Sequence, residues 1–155
     1  MSRTPHPLIA DVAQILLQEN GAALCVRRRP DTDLAPAQLT VVGGHLEADE
    51  PLDRAARREA KEETGVRISA DQQDFGGLVP HHEPGDSDRI TAVFVAQSST
   101  GEPYNAEPDK HEGLFWVPME TPPPDCHPYT VAIVHMLTHG PSCRALNWPT
   151  SGGAQ

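Results

Sequence analysis

The sequence is short of positive charge. Against 22 acidic residues it carries 12 Lys and Arg, for a formal net charge of −10. No basic stripe offsets that balance, and such a surface repels polymeric nucleic acid. The run Arg27-Arg28-Arg29 is short and reads as a solvated strand end. Cysteine is scarce too. Cys25, Cys126 and Cys143 are widely spaced and odd in number, which fits neither a disulfide framework nor a zinc pattern. They read as reduced thiols in the cytoplasm. No apolar stretch is long enough to span a bilayer, and the N-terminal stretch lacks the cationic n-region of a secretory signal. Neither a membrane protein nor a secreted one is expected. Internal repeats are absent.

What is there is enough for one domain with a real core: 155 residues, 37% of them apolar. Sixteen prolines and twelve glycines point to many turns. Two β-like runs, 8–18 and 22–28, flank Asn20-Gly21, a strong hairpin signal. A short strand at 39–42 runs into Gly43-Gly44, and a helix follows from Leu52. Residues 66–69 suggest a short strand. At 75–83 a strand is interrupted by glycine, and Pro80 marks an edge or a bulge. The most regular strand of the second half is 89–98, and 114–119 is another. Residues 127–139 read as a helix whose apolar face is Val131, Ile133, Val134, Met136 and Leu137. After Gly140 the chain reads as a loose tail in which Leu146 and Trp148 are placed to dock back. The expected division is a domain over 1–140 and a tail over 141–155. This order of strands and helices implies a mixed α/β sandwich.

The first helix carries an anomaly. Asp49 and Glu50 open it, Pro51 suits its first turn, and Gly65 suits the position past its end. Its core-facing stripe is Leu52, Ala55, Ala56, Glu59, Ala60 and Glu63. Arg54, Arg57, Arg58 and Lys61 fall on the other side. A carboxylate facing a core is costly unless something positive meets it. Glu59, Glu62 and Glu63 project near one side of the helix, and hard oxygen donors so spaced suit Mg²⁺ or Mn²⁺. Gly43-Gly44 lets the backbone come close to a ligand, and Glu50 is near enough to join. The competing reading is a helix laced by the ion pairs Asp53–Arg57 and Arg58–Glu62. It accounts for Glu62 but not for acids among alanines.

The whole stretch resembles the Nudix box, G-x5-E-x7-R-E-U-x-E-E-x-G-U, where U is a bulky aliphatic residue. Gly44, Glu50, Arg58, Glu59, Ala60, Glu62, Glu63, Gly65 and Val66 meet it in register. Ala60 is smaller than usual, and Val42 stands where many members have proline. The order of strands and helices on either side is similar to the MutT-type branch of the family. The resemblance implies an α/β fold: a Nudix α/β/α sandwich with a mixed central sheet and a loop–helix–loop metal site. It implies Mg²⁺, or Mn²⁺, bound by Glu59, Glu62 and Glu63, with the Gly43 carbonyl as a further ligand. Glu50 would bind metal through water or contact the cluster. Arg58 would orient the glutamates. Glu107, in the loop before Trp116, is either a solvent-exposed acid or the extra acid of MutT-type sites, a ligand or an aid to the base.

The implied reaction is cleavage of a nucleoside triphosphate, ordinary, oxidised or otherwise modified, to a monophosphate and pyrophosphate. A carboxylate, Glu59 first, would take the proton of the attacking water. The alternatives are the same chemistry on ADP-ribose or a nucleotide sugar, and a Nudix-fold binding module without catalysis. Retention of Glu59, Glu62 and Glu63 argues against the last. The partner is thus a small-molecule nucleotide. Outside the box, Asp125 is either a contact to the base or the N-cap of the last helix. Tyr129 and Phe75 are either stacking partners or core residues. His81 and His82 read as surface or edge positions, His45 as a local loop contact, and Trp116 as core.

Overall fold

The computed structural model describes residues 3–149. Its elements run β1 (Ile9–Leu16), β2 (Ala22–Arg28), β3 (Leu39–Val41), β4 (Gly43–His45), α1 (Leu52–Thr64), β5 (Gln73–His81), β6 (Arg89–Ala96), β7 (His111–Pro118) and α2 (Pro128–His139). One sheet is mixed, in the order β4-β1-β6-β5, with β1 and β6 parallel. The other, β3-β2-β7, is antiparallel. Strand alternation sorts side chains into layers. Ala13 and Ile15 of β1, with Ala23 and Cys25 of β2, face Ile133, Val134 and Met136 of α2. Val12 and Leu16 of β1, with Leu24 and Val26 of β2, face the opposite side, where α1 brings Ala55, Ala56 and Ala60. The small alanines let α1 lie close to the strands. The mixed α/β sandwich is therefore as the sequence implies. Among the described residues, no helix is long and apolar enough to cross a membrane.

Several local expectations change. Asn20-Gly21 does turn the chain: Asn20 Oδ1 accepts from the Ala22 amide, and Gly21 takes φ 82°. Yet β1 and β2 do not form a hairpin ladder. They part at once into different sheets, joined only by the bridge Leu17–Ala23. The stretch 66–69 makes a single bridge, Arg67 to Thr100, instead of a strand. Trp116 is 39% exposed and not core, as is Val131 on α2, whose buried face is Thr130, Ala132, Ile133, Val134 and Met136. Leu52 is exposed as well, because the stripe of α1 meets the sheet only from Ala55 onward. His81 lies on the edge strand β5, one of its two expected positions, but is buried there and not at the surface.

β5 satisfies both readings of Pro80. It is an edge strand with a register shift between Phe75 and Gly77, and Pro80 turns its missing donor away from β6. That edge does not stay open. Residues 142–146 run along it in parallel. Four bonds fix them: Leu78 N to Ser142 O, Arg144 N to Leu78 O, Leu146 N to Pro80 O and His82 N to Leu146 O. Leu146 packs on the core, and Trp148 lies against the His82 ring at 5.4 Å. The docking of Leu146 and Trp148 thus covers a strand edge that would otherwise pair with other chains. Truncation after Gly140 is expected to cost at least about 2 kcal/mol, from four backbone hydrogen bonds and one apolar contact. It should also promote association. Urea denaturation and size-exclusion chromatography check this; an unchanged midpoint with a monomeric profile contradicts it.

Candidate active site

The site is built where the chain crosses from β3 to β4. Val42 O accepts from Gln14 N, which ties the crossing to β1. A side chain on Gly43 would strike the Val12 carbonyl, and one on Gly44 would strike the Glu59 carboxylate. These two glycines make room for α1 and its acids. Pro51 caps α1 in an extended conformation, one position before the expected first turn, and Asp49 takes φ 61° in the turn ahead of it. Gly65 ends the helix at φ 74°, its amide bonded to Lys61 O. Any side chain there would meet the Tyr104 ring.

Arg58 organises the exposed half of the cluster. Its Nε and Nη2 make a fork on Glu50 at 3.0 and 2.7 Å. Its Nη1 donates to Glu59 at 2.9 Å and to Glu62 at 3.0 Å. Nη2 also donates to the His45 carbonyl at 3.1 Å. The bond to Glu50 is the main reason the Arg58 pKa lies above the ordinary range, and it holds Glu50 below the ordinary carboxylate range. Arg58 therefore lies inside the cluster and not on the far side of the helix. Arg57 pairs with Asp53 at 2.9 Å, as the helical spacing implies.

Glu63 forms the buried half. It is 5% exposed, and Oε2 accepts from the Gly43 amide at 3.1 Å. Burial, then the neighbouring Glu59, push its carboxyl well above the ordinary range. Burial also raises Glu59, against the pull of Arg58. The loop after β6 is pinned onto this end of α1. Tyr104 N donates to Thr64 O and Ala106 N to Glu63 O. A turn then folds back, with Lys110 N and His111 N both donating to Glu107 O. Glu107 and His111 arrive beside Glu63, and donor atoms of all three lie within 4.8 Å of one another. His111 is buried, and burial, then Arg28, lower its pKa to about 4.

This donor set fits a divalent cation. Glu63, Glu107 and His111 converge, burial raises Glu59 and Glu63, and each raised carboxyl senses Glu107 as well. Glu62 is the most exposed of the box acids, with its side chain 47% accessible. Two other residues singled out from sequence lie elsewhere. Asp125 does not cap α2. It pairs with Arg27 at 2.7 Å, and the Arg27 guanidinium lies over Phe115 at 5.1 Å. The cap is His127, whose Nδ1 accepts from Tyr129 N at 3.2 Å. Tyr129, in the first turn of α2, packs on the core. Burial, then Asp11 and Glu63, raise its pKa, so it lies within electrostatic reach of the cluster. His45 meets Asp11, and Phe75 is exposed beside Phe94. Sequence reasoning passed over His111. Its only signal was its place four residues after Glu107 in one polar turn.

The family model described as the NUDIX domain matches residues 7–134. Over 53 residues the chain is 38% identical to the nucleoside triphosphatase NudI of Enterobacter sp. (strain 638), a match covering 34% of this chain and 38% of that relative. The fold is similar to a MutT NUDIX hydrolase from Burkholderia pseudomallei, with TM-score 0.77 and 23% identity over 85% of this chain and 99% of that one. It is also similar to a MutT protein from Methanosarcina mazei Go1, with TM-score 0.71 and 22% identity over 87% of this chain and 96% of that one.

The raised carboxyl of Glu63 has a signed consequence. The folded chain holds that proton more tightly than the unfolded one. Stability without metal is therefore greatest below the ordinary carboxylate range and falls as pH rises through the raised value. Glu63→Gln keeps an acceptor for Gly43 and removes the charge. At pH 8 in chelator it is expected to be more stable than wild type by roughly 1–3 kcal/mol. Added Mn²⁺ should raise the wild-type melting temperature and leave the variant nearly unmoved. Equal melting curves in chelator, or equal metal shifts, contradict the reading.

Proposed function

The chain belongs to the NUDIX family of phosphoanhydride hydrolases, and from that premise we propose that it is a divalent-metal-dependent pyrophosphohydrolase of nucleoside triphosphates. The observation that supports the reading is the convergence of Glu63, Glu107 and His111 beside α1, with Gly43 donating to Glu63 and Glu59 within electrostatic reach. The similarity to a nucleoside triphosphatase and to MutT folds supports it.

In this reading Glu59, Glu62 and Glu63 hold Mg²⁺ or Mn²⁺, with the Gly43 carbonyl and Glu107 completing the set. The bound cation supplies the positive charge that offsets the phosphoanhydride oxygens and favours loss of a proton from water. Glu59 accepts that proton. Its burial raises its basicity, while Arg58 holds it in place. The water oxygen attacks the β-phosphorus. Its new P–O bond becomes part of pyrophosphate, and the bridging oxygen leaves on the nucleoside monophosphate. Arg58 is a positioning residue: through Glu50, Glu59 and Glu62 it fixes three carboxylates at once. On the nucleoside side we place Tyr129, and Asp125 with its partner Arg27.

A panel of ordinary and oxidised nucleoside triphosphates, ADP-ribose and nucleotide sugars tests this, scored for pyrophosphate and monophosphate with Mg²⁺ or Mn²⁺. Pyrophosphate from a triphosphate is expected. Glu59→Gln should lower kcat by about 10²- to 10⁴-fold. Arg58→Lys should keep the charge but lose the fork, and so lower kcat more than it raises KM. Turnover of ADP-ribose or a sugar nucleotide alone overturns the triphosphate assignment. Silence of a folded, metal-binding protein across the panel overturns the hydrolytic one.

A further inference from the structure

We infer that His111 is a nitrogen ligand of the divalent cation at Glu63 and Glu107, and that the site therefore prefers Mn²⁺ to Mg²⁺. The inference rests on the metal-dependent reading above, but not on the substrate.

His111 is 1% exposed, at the first position of β7. An imidazole that merely fills a core normally places its ring nitrogens on protein acceptors or donors. Other histidines in this chain do so. His6 and His82 bond to Asp88, His81 pairs with Glu83, and His127 caps α2. The Nδ1 of His111 has no partner among the described residues. Its Nε2 lies 3.8 Å from Glu63 Oε1, beyond hydrogen-bond length, and 3.4 Å from Arg28 Nη1. A guanidinium only donates. Nε2 therefore carries its lone pair in this contact, the form in which imidazole ligates a metal. The Arg28 contact is at the long limit of a hydrogen bond, so a cation at that lone pair replaces a weak partner with a strong one.

The placement of His111 is built, not incidental. Its amide donates to Glu107 O, and Asn105 Nδ2 donates to its carbonyl at 2.8 Å. The same turn thus fixes Glu107 and His111, while the Ala106 amide ties that turn to Glu63 O. Asn105 Oδ1, in the same turn, is also buried and without a partner among the described residues. Ligating histidines typically donate their second N–H to such a group, directly or through water. Mg²⁺ favours oxygen donors and retains its waters, whereas imidazole suits later divalent metals. An imidazole added to the carboxylates shifts preference away from Mg²⁺ and toward the transition-metal ions, Mn²⁺ among them.

The test is pulsed electron paramagnetic resonance of the full chain with Mn²⁺ alone, in unlabelled and ¹⁵N-histidine forms. Wild type should show coupling to a directly bound imidazole nitrogen that changes with the label. His111→Gln should lose that coupling and at least about tenfold in Mn²⁺ affinity, with Mg²⁺ affinity little changed. His135→Gln, on the exposed face of α2, should keep both. If His111→Gln does not fold, the labelled wild-type spectrum decides alone. Mn²⁺ bound without imidazole coupling overturns the inference and leaves the hydrolase reading standing. No Mn²⁺ binding overturns both. Imidazole-coupled Mn²⁺ without any phosphoanhydride cleavage sustains the inference and overturns the reaction.

Discussion

A buried carboxylate cannot stay ionised on its own, and the structure turns on how Glu63 is accommodated. Among the described residues, the Gly43 amide gives the one short hydrogen bond its carboxylate receives. Arg58 is engaged by Glu50, Glu59 and Glu62. Nearby Glu59 and Glu107 add like charge. Without an external cation, the cluster is a local defect in stability. With one, the same geometry becomes a binding site. Evolution commonly keeps destabilising polar groups only where they act.

The surrounding elements read as means to hold that cluster. Alanines at 55, 56 and 60 seat α1 against the strands, Gly44 clears the space that Glu59 occupies, and Gly43 lets β4 lie close to the Val12 carbonyl. Residues 104–111 fold back over the helix end chiefly through backbone bonds, with Asn105 Nδ2 holding the His111 carbonyl. A chain with net charge −10 thus concentrates negative potential at one end of a helix, where a cation reverses it for an anionic substrate.

Much of this was legible in sequence because the helical part of the site is local. Periodicity placed Glu59 and Glu63 on the inner stripe, and fixed spacing linked Arg58 to Glu62. What failed depends on tertiary choice. Asn20-Gly21 encodes a tight turn, but not whether the strands it joins stay paired. Trp116 and Val131 have apolar neighbours in sequence, yet point outward because their elements are covered on one face only. Asp125 had cap chemistry, but Arg27 from another strand claimed it. His111 had only its spacing from Glu107 as a signal: its burial beside Glu63 exists only once a loop from the second half of the chain closes on α1.

The most direct measurement is a calorimetric titration of Mn²⁺ into the metal-free protein near neutral pH, beside a Glu59→Gln/Glu63→Gln double variant of verified fold. The account requires saturable binding by wild type and its loss in the variant. Wild type that takes up no metal, or a variant that binds as tightly, would mean that the buried acids of α1 serve something other than a cation.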